Sequence, residues 1–246
     1  MSGHSHYATI KRQKESNDAA KGKIFSKMAR IIAIAAKTGG GADPESNYKL
    51  RMAIEQARAQ NMPKVNIDRA IQKAQGGGDL TEVTYEGYGP DGIAILVDAA
   101  TDNRNRTAQE IKNIFERVGG SLAGPGSVSY NFDSKGVIVV KKETDTEEQM
   151  LRLIDMGVED LEETRDAIEV YTAPDKAGEI RDQLRDNGFE VLSFNLVKKP
   201  KTYVMVDNPQ KATKVMNFLE SLDEHEDVQG VYSNFDIPEE IASQIT

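Results

Sequence analysis

Three histidines, no cysteine and a knot of cations near one end are the side chains with which this sequence could do chemistry. In GHSHYATIKRQKESNDAAKGK (residues 3–23), Lys11, Arg12, Lys14, Lys21 and Lys23 stand against only Glu15 and Asp18. Cations at that density neutralise phosphates, a chemistry indifferent to sequence and to the choice between DNA and RNA. His4 and His6 are mostly neutral at pH 7 and add charge in acid. Tyr7 offers a ring that can stack on a base. Ser2-Gly3-His4 could chelate copper or nickel once Met1 is removed, a property more often incidental than functional. His225, within DEHED (223–227), reads as a surface residue.

Other chemistries find little to build on. Without Cys there is no disulfide, thiolate metal site or cysteine nucleophile. Acids are plentiful, yet no pair stands at catalytic spacing beside a nucleophile, and no metal-ligand motif occurs. GYGPDG (87–92) matches the dinucleotide-binding string literally, but a strand-like run follows it where that mechanism needs a helix N-terminus. Pro-Asp-Gly there is a turn. GGSLAGPG (119–126) lacks the Gly-Lys-Ser/Thr ending of a phosphate-binding loop and reads as loop. The expectation is no catalytic residue, no cofactor, no metal and no enzymatic activity.

TDNRNRT (101–107) leaves a strand and enters a helix, with Thr107 and Glu110 spaced as a capping box. Arg104 and Arg106 then lie at the positive end of a helix dipole, where a cation costs a few tenths of a kcal/mol. A bound phosphate would relieve that conflict. Pairing with Asp98, Asp102 or acids of residues 134–200 would relieve it as well.

These residues sit in a chain of 246 with 38% hydrophobic and 29% charged content, the balance of a globular protein. Charge is segregated. Residues 1–78 hold 14 Lys+Arg against 6 Asp+Glu, a net of +8, whereas residues 79–246 carry a net of −17. A basic third joined to an acidic remainder suggests a polyanion partner at one end. No apolar run approaches the roughly 20 residues that span a bilayer, and no signal peptide is evident, so a cytoplasmic protein without membrane contact is expected.

The basic third reads as three helices. From Lys23 to Lys37, Ile24, Phe25, Met28, Ile31, Ile32 and Ala35 share one face, while Lys23, Lys27, Arg30 and Lys37 share the opposite one, with Ile34 intruding. A second helix fits 46–60 and a third begins at Pro63, burying Ile67, Ala70, Ile71 and Ala74. Gly76-Gly77-Gly78 is a joint. Strands and helices then alternate. Residues 92–100 and 127–132 read as strands around a helix at 106–120, with a turn at 133–136. The stretch from Gly136 to Val197 gives a complete β-α-β-β-α-β unit. Strand 201–207, helix 208–225 and strand 228–236 follow. The β-α-β pieces on either side complete each other, so the expected fold is α+β and multidomain. A basic helical domain (1–78) precedes a discontinuous ferredoxin-like domain (79–133 and 201–246), into which a second ferredoxin-like domain (134–200) is inserted. In the insert Tyr171 is the only aromatic on the central strands, a poor surface for stacking RNA bases.

GHSHYATIK, GKIFSKMARIIAIAAKTGGG, NMPKVNIDRAIQKA, YEGYGP, TDNRNRT, GSVSYNF and VYSNFDIP, in that order along nearly the whole chain, resemble the YebC/PmpR family, which includes the mitochondrial translational activator of cytochrome c oxidase I. His6-Tyr7 stands where the family usually has Lys-Trp, which keeps a ring and loses a permanent cation. The resemblance implies one helical and two α/β domains and a non-enzymatic role in gene expression, as a DNA-binding transcriptional regulator or as a translation factor at the ribosome. The residues expected to touch nucleic acid are His4, His6, Tyr7, Lys11, Arg12, Lys14, Lys21, Lys23, Lys27, Arg30, Arg104 and Arg106. The partner expected is DNA or ribosomal RNA, with the ribosome itself as a further candidate, bound by a monomer. No helix displays base-reading Arg, Asn or Gln at obvious spacing. A small-molecule sensor or protein scaffold, using a cleft between the α/β units, is the competing class.

Overall fold

The computed structural model describes residues 18–76, 80–164, 166–238 and 240–241, with side chains from Ile24 onward. Three helices come first: α1 (Asp18–Thr38), α2 (Tyr48–Ala59) and α3 (Lys64–Gln75). Ile32, Ala35 and Ala36 of α1 meet Leu50, Ala53, Ile54 and Ala57 of α2 and Ile67 and Ala70 of α3 in one buried cluster, as the apolar periodicity requires. Asn47 caps α2 by accepting from the Leu50 N–H at 3.0 Å, and its amide donates to the Ala35 and Gly41 carbonyls. A Cβ on Gly39 would lie 2.1 Å from the Asn47 Oδ1, so this corner needs glycine.

The first sheet holds β1 (Thr81–Tyr88), β2 (Ala94–Thr101), β3 (Ser121–Ala123) and β9 (Val228–Ser233) in the order β3-β1-β2-β9, with every neighbouring pair antiparallel. Helices α4 (Arg104–Arg117) and α7 (Pro209–Asp223) accompany it, and their Phe115 and Phe218 meet edge to face at 5.0 Å. This is ferredoxin-like order with one change: the strand between β2 and β3 arrives from earlier in the chain. The sequence reading overlooked β1 as a sheet member and put a strand at 127–132. Residues 129–131 instead form a 3₁₀ turn. The physical reason is Glu86, whose carboxylate collects the N–H groups of Gly126, Val128 and Ser129 that a ladder would have used.

The second four-stranded sheet is made of β4 (Phe132–Lys141), β5 (Asp160–Glu163), β6 (Ala167–Thr172) and β7 (Val191–Pro200), ordered β5-β6-β4-β7 and antiparallel throughout. With α5 (Thr146–Asp155) and α6 (Ala177–Asp186) it is the β-α-β-β-α-β arrangement. The turn expected at 133–136 is absent, because those residues pair with Lys199, Lys198, Val197 and Leu196 and continue the strand. Of the strand expected at 201–207, only β8 (Val204–Met205) forms, and it pairs in parallel with β10 (Phe235–Asp236) outside both larger sheets.

Among the described residues, the three helices and the first sheet form one compact unit, through Ser129 and again from Gln210 to Ser233. Tyr130–Pro209 and the residues from Asn234 form the other. No described helix is long and apolar enough to cross a membrane.

Candidate nucleic-acid interface

His4, His6, Tyr7, Lys11, Arg12 and Lys14 lie outside the described residues. Lys21 and Lys23 fall within α1, and their side chains are not described. The remaining four candidates have defined surroundings, and three of them are already occupied.

Lys27 and Arg30 stand one turn apart on the α1 face that also carries Ile34 and Lys37. Ile34 is only 6% exposed, which explains its intrusion among the cations: this face too is covered. Lys27 binds the carbonyl of Asp223 at the end of α7 and its carboxylate at 3.3 Å, a cation on a helix C-terminus. Lys37 donates to the Leu80 carbonyl at 3.3 Å. Arg30 donates to Asp227 and, at 3.3 Å, to the Ala100 carbonyl.

Asp227, 2% exposed, is the hub of this region. Its second oxygen accepts from Arg106 at 2.8 Å and from the Thr107 hydroxyl at 2.7 Å. Burial works to raise its pKa, but hydrogen bonds from Thr107, Arg106 and Arg30 outweigh burial and hold the carboxyl down at about 2. Arg30 and Arg106, two of the four arginines that sequence reading assigned to nucleic acid, thus share one buried carboxylate. Arg106 reaches Asp102 as well, at 3.1 Å.

The expected capping box is absent. Asn103 is the N-cap, accepting from the Arg106 N–H, and this frees the Thr107 hydroxyl for the hub. Beside it, His225 Nδ1 accepts the Asp227 N–H at 3.1 Å while Nε2 faces Glu110 at 2.9 Å. Glu110, His225 and Asp227 are ligand types close enough to share a metal. Two guanidiniums on Asp227 and full use of both His225 nitrogens make the cluster an ion-pair network instead. Arg104 differs: it is exposed, its guanidinium donates to the Thr81 hydroxyl at 3.4 Å, and it has no carboxylate partner among the described residues.

Positive charge that folding leaves free lies elsewhere in the helical head. Lys49 and Arg58 on α2, and Lys64, Arg69 and Lys73 on α3, are exposed, and their side chains have no ion-pair or hydrogen-bond partner among the described residues. Arg51 is turned to the Pro44 and Glu45 carbonyls and the Tyr48 ring. Sequence reading counted these residues in the net charge without selecting them. The available signal was their position opposite the apolar stripes of α2 and α3.

The second α/β unit offers no stacking platform at its aromatic. Tyr171 is 5% exposed, donates to Glu169 at 2.8 Å, and has the Lys199 ammonium 3.7 Å over its ring. Burial, with Glu169 and Glu162 nearby, raises its phenol far above the usual value. Lys199 is itself held by Asp160 and Glu162.

Comparison with known proteins agrees with this architecture. The chain matches the family models described as TACO1/YebC protein N-terminal domain, over residues 5–77, and TACO1/YebC second and third domain, over residues 80–235. A relative from Dictyoglomus turgidum, named probable transcriptional regulatory protein, is 47% identical over the whole of both chains. A Thermotoga maritima relative of the same name is 46% identical, covering all of this chain and 98% of its own. The crystal structure of a conserved hypothetical protein from Aquifex aeolicus superposes with a TM-score of 0.83 at 43% identity, covering 90% of this chain and 93% of the other.

Proposed function

The chain belongs to the TACO1/YebC family, and from that premise we propose that it is a non-enzymatic regulator of gene expression that binds nucleic acid through its basic helical head. The observation that carries the reading is the segregation of charge: +8 in residues 1–78 against −17 in the rest. Among the described residues of the head, the side chains of five exposed cations have no ion-pair or hydrogen-bond partner. A surplus left after folding is available to a polyanion, and repulsion keeps the acidic body off the same phosphates. The relatives' shared name speaks of transcriptional regulation, a role that duplex DNA as the partner suits; structured ribosomal RNA, and a translational role, is the alternative that the same charge chemistry suits.

Fluorescence anisotropy with a labelled duplex DNA, a single strand and a ribosomal RNA hairpin tests the proposal across 50 to 200 mM salt. With six or more phosphate contacts the affinity falls by about 10³ or more over that range. Affinity independent of salt, or no binding to any of the three, defeats it. A ligand-induced rise in melting temperature without nucleic-acid binding favours the sensor class instead.

A further inference from the structure

Helix α3 presents a continuous outer face that the fold does not use. Lys64, Val65, Asp68, Arg69, Gln72 and Lys73 recur at i, i+1, i+4, i+5, i+8 and i+9, which places them on one side of a helix, and all six are exposed. The opposite side carries Ile67 and Ala70, buried, and Ile71 and Ala74, packed against the same cluster. Val65 is 65% exposed, an apolar side chain for which packing gives no account. None of the five polar side chains has a partner among the described residues.

The connection from α2 to α3 is short, residues 60–63. It is closed by the Met62 N–H on the Ala57 carbonyl at 2.9 Å and by Asn61 in the left-handed region at φ 57°. A turn of this length is the kind that joins the two helices of a helix-turn-helix, whose second helix enters a groove.

We infer that α3 docks in the major groove of duplex DNA, where Arg69 and Gln72 read base edges and Lys64 and Lys73 hold phosphates on either side. The inference rests on the nucleic-acid reading above and names the target and the reading helix. Nine residues at about 1.5 Å each separate the two lysines by about 13.5 Å, against a major groove of about 12 Å. Arginine pairs bidentately with guanine and glutamine with adenine, Asp68 is placed to accept from cytosine, and Val65 suits a thymine methyl group. An A-form RNA duplex has too deep and narrow a major groove to admit the same helix. The stripe also contains the base-reading spacing that sequence inspection did not find.

The test begins with selection of a preferred duplex by the intact chain from a random-sequence pool. Anisotropy then compares wild type with Arg69→Ala, Gln72→Ala and the pair Lys64→Gln/Lys73→Gln. All four sites are exposed on a helix, and unchanged circular dichroism and melting confirm that the variants fold. Arg69→Ala and Gln72→Ala are expected to lose about 5- to 150-fold for the selected duplex and little for a scrambled one. The lysine pair is expected to weaken both equally and to flatten the salt slope by about 2.

Failure to enrich any duplex, or wild-type binding by all the α3 variants, overturns the inference. In that case, loss of binding on replacing Lys11, Arg12, Lys14, Lys21 and Lys23 with glutamine leaves the broader reading standing. An intact chain that binds structured RNA and ignores duplex DNA also overturns the inference. An intact chain that binds no nucleic acid removes both.

Discussion

Replacing Asp227 with asparagine should disconnect the α1 helix from the first sheet electrostatically, without changing the shape of the residue. The native carboxyl lies near 2 instead of 3.8. At about 1.36 kcal/mol per pKa unit, that difference corresponds to about 2.4 kcal/mol. The figure is an upper value for the charge contribution, because Arg106 is 44% exposed and water screens its share. Asparagine also leaves Arg30, 26% exposed, without a charged partner at that site. A total loss of about 2–3 kcal/mol at pH 7 follows.

The sign of the pH dependence is fixed by the direction of the shift. A depressed carboxyl contributes in full above its ordinary pKa and loses that contribution as the pH falls from about 4 through about 2. Equilibrium urea unfolding of wild type and Asp227→Asn at pH 7, 5, 3 and 2 should therefore show a difference that is constant down to about pH 5 and closes near pH 2. Adding Arg30→Met to the asparagine variant should recover part of the stability, since it removes a cation left with the exposed Glu226 carboxylate at 3.8 Å. A difference below about 0.5 kcal/mol at pH 7, or one unchanged between pH 7 and pH 2, would refute the assignment of Asp227 as an ionised hub.

Two further outcomes follow from close contacts in the same unit. Burial pushes the Glu86 carboxyl up, but the amides of Val128, Gly126 and Ser129 more than reverse this, so Glu86→Gln should cost about 1–3 kcal/mol. Hydrogen exchange at those three amides should accelerate more than at β2, and unchanged protection would show that the carboxylate does not hold the loop. Gly87→Ala would bring a Cβ within 2.6 Å of both the Phe115 ring and the Ser121 carbonyl. Strain of about 1–3 kcal/mol should appear as a lowered urea midpoint, whereas an unchanged midpoint would mean that the strands have room to separate.

The fold was legible where periodicity decided it. The apolar stripes of α1, α2 and α3, and the alternation from 136 to 197, are direct consequences of helix and strand repeats, and they predict the three helices and the second α/β unit. Legibility stopped where a side chain competed with a ladder. Nothing in GPGSVS announces that Glu86, some 40 residues earlier, will take its N–H groups. The short strand 121–123 is likewise too brief to carry a pattern. Pro-Asp-Gly (90–92) within GYGPDG was read correctly as a turn, and the structure supplies the reason for the glycines before it: Gly87 and Gly89 approach Phe115 and Phe218 too closely for a side chain. Asn103 shows the same limit on a smaller scale, since the sequence reading places the α4 cap at Thr107 and the fold places it four residues earlier.

The binding surface is a sharper case, because net charge counts cations without saying which ones folding consumes. Lys27 and Arg30 looked available on a helical wheel, as the polar side of an amphipathic helix should. They are polar and covered, facing Asp223 and Asp227 across an interface that also buries Ile34. A wheel divides a helix into apolar and charged faces and assigns the charged one to solvent, an inference that fails whenever a second element brings matching acids. The acids were visible in DEHED, 196 and 197 residues away, but nothing local pairs them with α1. Once those pairs are subtracted, the free cations of α2 and α3 remain on a helix pair whose position on the sheet Asp227 helps to fix. A head that reads DNA through α3 would thus depend on α1 for its anchoring. Loss of Arg30 would then act on binding through stability, whereas loss of Arg69 would act on binding directly.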